Sequence, residues 1–159
     1  MAIAGFVVAG MLATGSLAVP LTSSSSSTSS TSSTTSTTTV PGNEGCSPGF
    51  WKNAPKNHPG AYPTTGVTPT TTLASVGFNV NASITFDSAL NNGGGGVDAL
   101  LRQAAAAYLN AASTGVNYPI EPASAVVSLV NTALAGGSAA IDSLEQTLDK
   151  NNDLEGPFC

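Results

Sequence analysis

Few side chains in this chain of 159 residues are equipped for chemistry: two cysteines, Cys46 and Cys159, a single histidine, His58, and nine carboxylates. A Cys46/His58 pair is the sharpest catalytic reading, because an imidazole can take the thiol proton and leave a nucleophilic thiolate. The same cysteines have a competing use. They stand at the two ends of the stretch that looks foldable and follow a leader of the exported type, which is the setting of a disulfide. Closing a loop of about 100 residues stabilises a fold by roughly 4–5 kcal/mol in the chain-entropy model. A bonded Cys46 has no thiolate to offer, so the two readings exclude one another. Free thiols and bonds between chains stay open beside them. We expect the Cys46–Cys159 bond and no catalytic residue.

Three further groupings bear on binding. Asp149, Asn151, Asp153 and Glu155 place side-chain oxygens at alternate positions, the kind of set that converges on a hard cation such as calcium. An EF-hand loop would need glycine where Leu154 stands, so only a looser site fits; the competing reading is a polar helix exit. Calcium is the one cofactor the residues raise. Phe50, Trp51 and Tyr62 offer either a sugar-stacking platform or, as we favour, an anchor that buries its rings against the rest of the fold. Asn81-Ala82-Ser83 is an N-glycosylation acceptor sequence. No Gly-x-Gly-x-x-Gly dinucleotide fingerprint is present, and Gly93–Gly96 lacks the Lys-Ser/Thr of a phosphate loop.

These residues need elements to position them, and composition divides the chain into three. Residues 1–21 are apolar; 3–13 suit the core of a signal peptide, and Ala18 suits a cleavage site. No Lys or Arg precedes the apolar run, so an uncleaved anchor or a filament-core helix stand as alternatives. Residues 22–39 are all Ser or Thr, and with 40 and 41 they form a stalk that cannot bury apolar area. Residues 42–159 are the folding domain.

Only 8% of the chain is charged, against about 25% in ordinary soluble proteins. The net charge is −5, with Lys52, Lys56, Arg102 and Lys150 scattered. No cluster of them can follow a phosphate backbone, which excludes nucleic acid as a partner. Membrane contact is expected only through 1–21, if that segment is retained.

Within 42–159, residues 46–72 hold five of the ten prolines and read as an irregular extended arm. Residues 71–80 are ambiguous between a strand and a helical turn. The run Asn91 to Gly96 breaks the chain, and three helical periods follow. The first covers 97–112, with Asp98 placed to pair with Arg102. The second starts at Glu121-Pro122 with a stripe of Val126, Leu129, Val130, Ala133 and Leu134. The third is capped by Ser138 and faces inward through Ile141, Leu144 and Leu148. A short helix is expected at 85–90. The fold class is a small, mostly α bundle of three to four helices with a Pro-rich N-terminal arm, clasped by one disulfide.

The opening motif Cys46-Ser47-Pro48-Gly49-Phe50-Trp51-Lys52-Asn53 resembles that of an uncharacterised module of bacterial and archaeal secreted and cell-surface proteins, which opens Cys-Ser/Thr-Pro-Gly-Phe/Tyr-Trp-Lys-Asn-His. The likeness continues through Leu90-Asn91-Asn92-Gly93, a helix of the type L-L-R-x-A-x-A-A-x-L-N-A-A at 100–112, Tyr118-Pro119, a V-x-x-V-N-x-A-L helix and an Asn-Asn close ending in Cys159. Two departures are visible: Ala54 stands where the module has histidine, and the last cysteine lies farther from the Asn pair. The resemblance implies an exported, modular protein and carries no activity with it. Residues and resemblance together point to a non-enzymatic secreted or cell-surface module with a structural or adhesive role. A subunit of an extracellular filament with 1–21 in its core, and a calcium- or glycan-binding module, are the alternatives. The expected partner is a cell-envelope component or another copy of the chain.

Overall fold

The computed structural model describes residues 42–159; the leader and stalk expected at 1–21 and 22–41 lie outside the described residues. Ordered structure among the described residues is helical, with two isolated β-bridges and no strand.

The axis of the fold is α3 (Val97–Ala112), whose sequence VDALLRQAAAAYLNAA is dense in alanine. Ala104, Ala105, Ala106 and Ala107 are all fully buried. Four consecutive positions at about 100° per residue sweep most of the helix circumference, so α3 is covered nearly all round instead of along one stripe. Methyl side chains let its neighbours approach closely. Those neighbours are α1 (Pro48–Asn57), α2 (Phe86–Asn91), α4 (Ala123–Gly136) and α5 (Ser138–Asn152).

Helices α4 and α5 also pack on each other. The inner face of α4 is Val126, Val127, Val130 and Ala133. This corrects the expected stripe at one position: Leu129 is 42% exposed, and Val127 instead packs over the turn at Gly77. Helix α5 buries Ile141 and Leu148, with Leu144 half-buried. Ser138 is the first residue of α5, not its cap. Gly137 occupies the cap at φ 84° and ψ −173°, a conformation that favours glycine.

The arm is the larger correction. Residues 48–57, expected to be extended, form α1. Ser47 Oγ accepts the Phe50 N–H at 3.3 Å and caps the helix. Pro48 stands in the first turn, where an N–H has no intrahelical partner anyway. Pro55 lies inside the helix but in its last turn, so it removes a bond only near the end. Two prolines placed this way permit a short helix despite their density.

Beyond α1 the chain does run through turns, including 3-10 turns at Tyr62–Thr65 and Ala74–Val76. The ambiguous stretch 71–80 resolves as a helical turn, the 3-10 turn at Ala74–Val76, and holds no strand. Helix α2 matches the expected short helix and opens on a reciprocal Thr85/Ser88 capping box. Arg102, expected to pair with Asp98, donates instead to the carbonyls of Asn92 (2.6 Å) and Gly94 (3.3 Å), tying the glycine run to α3. Among the described residues no helix is long and apolar enough to cross a membrane.

Candidate functional site

The two ends of the domain meet at one place. Cys46 and Cys159, 113 positions apart in sequence, form a disulfide with 5.5 Å between their Cα atoms. Cys46 is fully buried and Cys159 is exposed. Beside the bond, Gly45 and Glu155 form an antiparallel bridge. Glu44 adds a second tie: its N–H donates to Asn117 O (3.1 Å), and its carboxylate accepts the Asn117 N–H (2.9 Å).

Close approach explains glycine at position 45. A Cβ there would stand 2.0 Å from the Asn151 carbonyl oxygen, backbone that has no rotamer to move away.

Beneath the clasp lies a buried polar network that the expected sites did not include. Asn110, on α3, is fully buried. Its Oδ1 accepts from the Cys46 backbone N–H (3.0 Å) and from Trp51 Nε1–H (2.8 Å). Both partners are donors only, so they fix the orientation of the amide. Asn110 Nδ2 is thereby turned the other way and donates to Cys46 O (2.9 Å) and to Asn152 Oδ1 (3.0 Å).

Asn152, also fully buried, is used as completely. Its Oδ1 accepts a second bond from Tyr118 OH (2.9 Å), and its Nδ2 donates to Gln103 O (3.0 Å) and Gln103 Oε1 (2.9 Å). Gln103 Nε2 then donates to Asp149 Oδ1 at the surface (2.5 Å). Each asparagine amide thus fills both donors and both acceptor sites. Among the described residues no buried side-chain nitrogen or oxygen lacks a partner.

Trp51 joins this network to the aromatic cluster. Its ring is fully buried and meets Tyr62 edge-on at 5.7 Å and Phe50 edge-on at 5.3 Å between centroids. Phe158, next to Cys159, lies 6.0 Å from Phe50 and 6.2 Å from Trp51 and covers Gly115. The indole and Tyr62 therefore serve as the anchor that the sequence favoured and present no open face for a sugar ring. Phe50 remains partly exposed, beside His58 at 4.9 Å. Burial first, and the nearby Asp87 carboxylate second, push the Tyr62 phenol up to about 12. Burial also raises the Tyr118 phenol.

The remaining groupings separate. Asp149 is engaged by Gln103, and among the described residues no group of three or more His, Cys, Asp or Glu side chains is gathered where a metal could sit. Asp149 and Asn151 stand in the last turn of α5, and Asp153 and Glu155 in the turn after it. The Cys46/His58 reading loses its thiolate to the disulfide. Asn81 is exposed on the turn before α2.

The signal for Asn110 was present in the residues. Asparagine disfavours a helix interior, yet here it sits in a run of alanines and leucine on the most buried helix. Asn152 gave less warning, because a polar pair at a helix end is ordinary.

No family model matches the chain, and neither the curated proteins nor the solved structures contain a significant match to it.

Proposed function

We infer that this chain is a non-enzymatic secreted or cell-surface module, carried on its Ser/Thr-rich segment and serving a structural or adhesive role. The observation that carries this reading is the Cys46–Cys159 disulfide, which ties the two ends of the domain together directly over its anchor. Such bonds belong to oxidising compartments and resist unfolding where no chaperone acts. The apolar leader and the long Ser/Thr tract add an export route and a spacer. The saturated network supports the same reading, since its polar groups hold one another and leave none free to act on a substrate.

The test is fractionation of the producing cells, followed by non-reducing intact mass and sequencing of the mature N-terminus. The expected result is protein at the surface or in the medium, lighter by two hydrogens than its reduced form. Reduced protein in the cytoplasm would overturn the reading.

One observation favours the filament alternative. A surface groove between α4 and α5 is lined by Leu129, Ala133, Gly136, Ala140 and Leu144 with hydroxyl side chains between them and no charge. Uncharged grooves of this kind suit contact between copies. A mature chain that retains 1–21 and forms fibres under negative stain would establish that version; a chain that begins after Ala18 would end it.

A further inference from the structure

We propose that Asn81 carries an N-linked glycan. The inference rests on the reading of the chain as exported, and it adds a covalent modification that the reading does not require. The acceptor tripeptide Asn81-Ala82-Ser83 lies outside every helix, and all three residues are exposed.

The hydrogen bonding at this turn is selective. Asn81 Oδ1 accepts the Ser83 N–H at 3.0 Å and the Ser83 hydroxyl at 2.9 Å, while Asn81 O accepts the Ile84 N–H at 3.1 Å. The carboxamide is thus held by its oxygen, through the residue whose hydroxyl defines the acceptor sequence. No hydrogen bond of the described residues engages its nitrogen.

Five other asparagines differ on this point. The Nδ2 of Asn53 is bound to Gly49 O, that of Asn91 to Asp87, and that of Asn131 to Gly77 O. Asn110 and Asn152 are buried with both amide hydrogens used. Among the described residues, Asn81 is the one position where the acceptor sequence, exposure and an amide nitrogen without a hydrogen bond to another described residue coincide.

The donor would be an oligosaccharide linked through phosphate to a lipid. Asn81 Nδ2 forms a bond to the anomeric carbon, the bond from that carbon to the phosphate oxygen breaks, and the lipid phosphate leaves with the electron pair. Nδ2 gives up one proton to the transferring enzyme's base, and no oxidation occurs. A glycan here would hydrate a surface with few charges and shield the turns around α2.

Protein purified from the producing organism's surface or medium tests this. Trypsin releases a peptide that begins after Lys56 and ends at Arg102, and fragmentation that preserves the sugar locates it within that peptide. The expected result is sugar mass on Asn81, lost completely in Asn81→Gln and in Ser83→Ala and retained in Ser83→Thr. Sugar confined to the threonines of the peptide, or a bare Asn81 in exported and oxidised protein, overturns the glycan and leaves the export reading standing. Protein found reduced in the cytoplasm overturns both.

Discussion

Asn110 is the side chain on which the clasp region turns. Replacing it with alanine leaves the Cys46 N–H and Trp51 Nε1–H without their acceptor and the Cys46 carbonyl without its donor. A buried polar group left unpaired costs about 1–3 kcal/mol, so Asn110→Ala should destabilise the domain by about 3 kcal/mol or more, read from the urea midpoint at unchanged slope. Asn110→Asp keeps the acceptor but buries a charge and loses both donors, and should be no better tolerated. A midpoint within error of the parent for Asn110→Ala would show that the network is dispensable. The tyrosines make a separate prediction about pH. Below the ordinary phenol value of 10.0, Tyr62 is protonated in both folded and unfolded chains and its contribution is fully present. Between there and about 12 the unfolded chain ionises while the folded one holds its proton. Stability should therefore fall as pH rises through that window, by about 1.4 kcal/mol per pH unit for one such group. Tyr118, raised by burial, acts in the same direction. Tyr62→Phe should flatten the alkaline part of a stability-against-pH curve, and an unchanged curve would remove Tyr62 as a cause.

At the scale of elements, α3 and the chain ends define what can vary. The segment around Gly45 passes so close to the end of α5 that a methyl group meets backbone oxygen at 2.0 Å. Gly45→Ala must push the opening segment away from α5, strain the Gly45–Glu155 bridge and disturb the neighbouring disulfide. Overpacking of this kind costs about 1–3 kcal/mol. Thermal melting should show a lowered midpoint for Gly45→Ala and almost none of that effect for alanine at Gly60, which has open space around it. Helices α3, α4 and α5 were legible in the residues because glycine breaks and apolar periods agree there, and the short α2 was expected in nearly the right place. Helix α1 was not, because the density of prolines does not reveal where in a helix each one stands. Pro48 in the first turn and Pro55 in the last are both sites a helix tolerates. The buried face of α4 departs from its apolar period at Leu129 because periodicity alone does not say that the turn at Gly77 covers Val127 instead.

For the whole molecule, the disulfide joins positions 113 residues apart, nearly the full length of the domain. Its removal should cost up to roughly 4–5 kcal/mol, most of it through the freer unfolded chain. Cys46→Ser/Cys159→Ser chains should unfold at a lower denaturant concentration than the parent. Reductant should move the parent toward the double variant and leave the variant unmoved. Equal midpoints for all of them would mean that the clasp adds nothing to stability. The sequence by itself determined the class of fold and the positions of the helical segments from α2 onward to within a residue or two, and it favoured the pairing of its two cysteines, because each rests on local composition or on simple counting. Only the tertiary structure decided which polar residues go inside. Asn110, Asn152, Gln103, Tyr118 and Trp51 come from four separate stretches of chain, and nothing local to any one of them names its partners. Their burial is stable only because each hydrogen-bonding group is satisfied by another across the fold. The opening cysteine motif thus has a physical meaning that its spelling alone withholds: its indole and its Cys46 backbone are the groups that the amide of Asn110 holds in place.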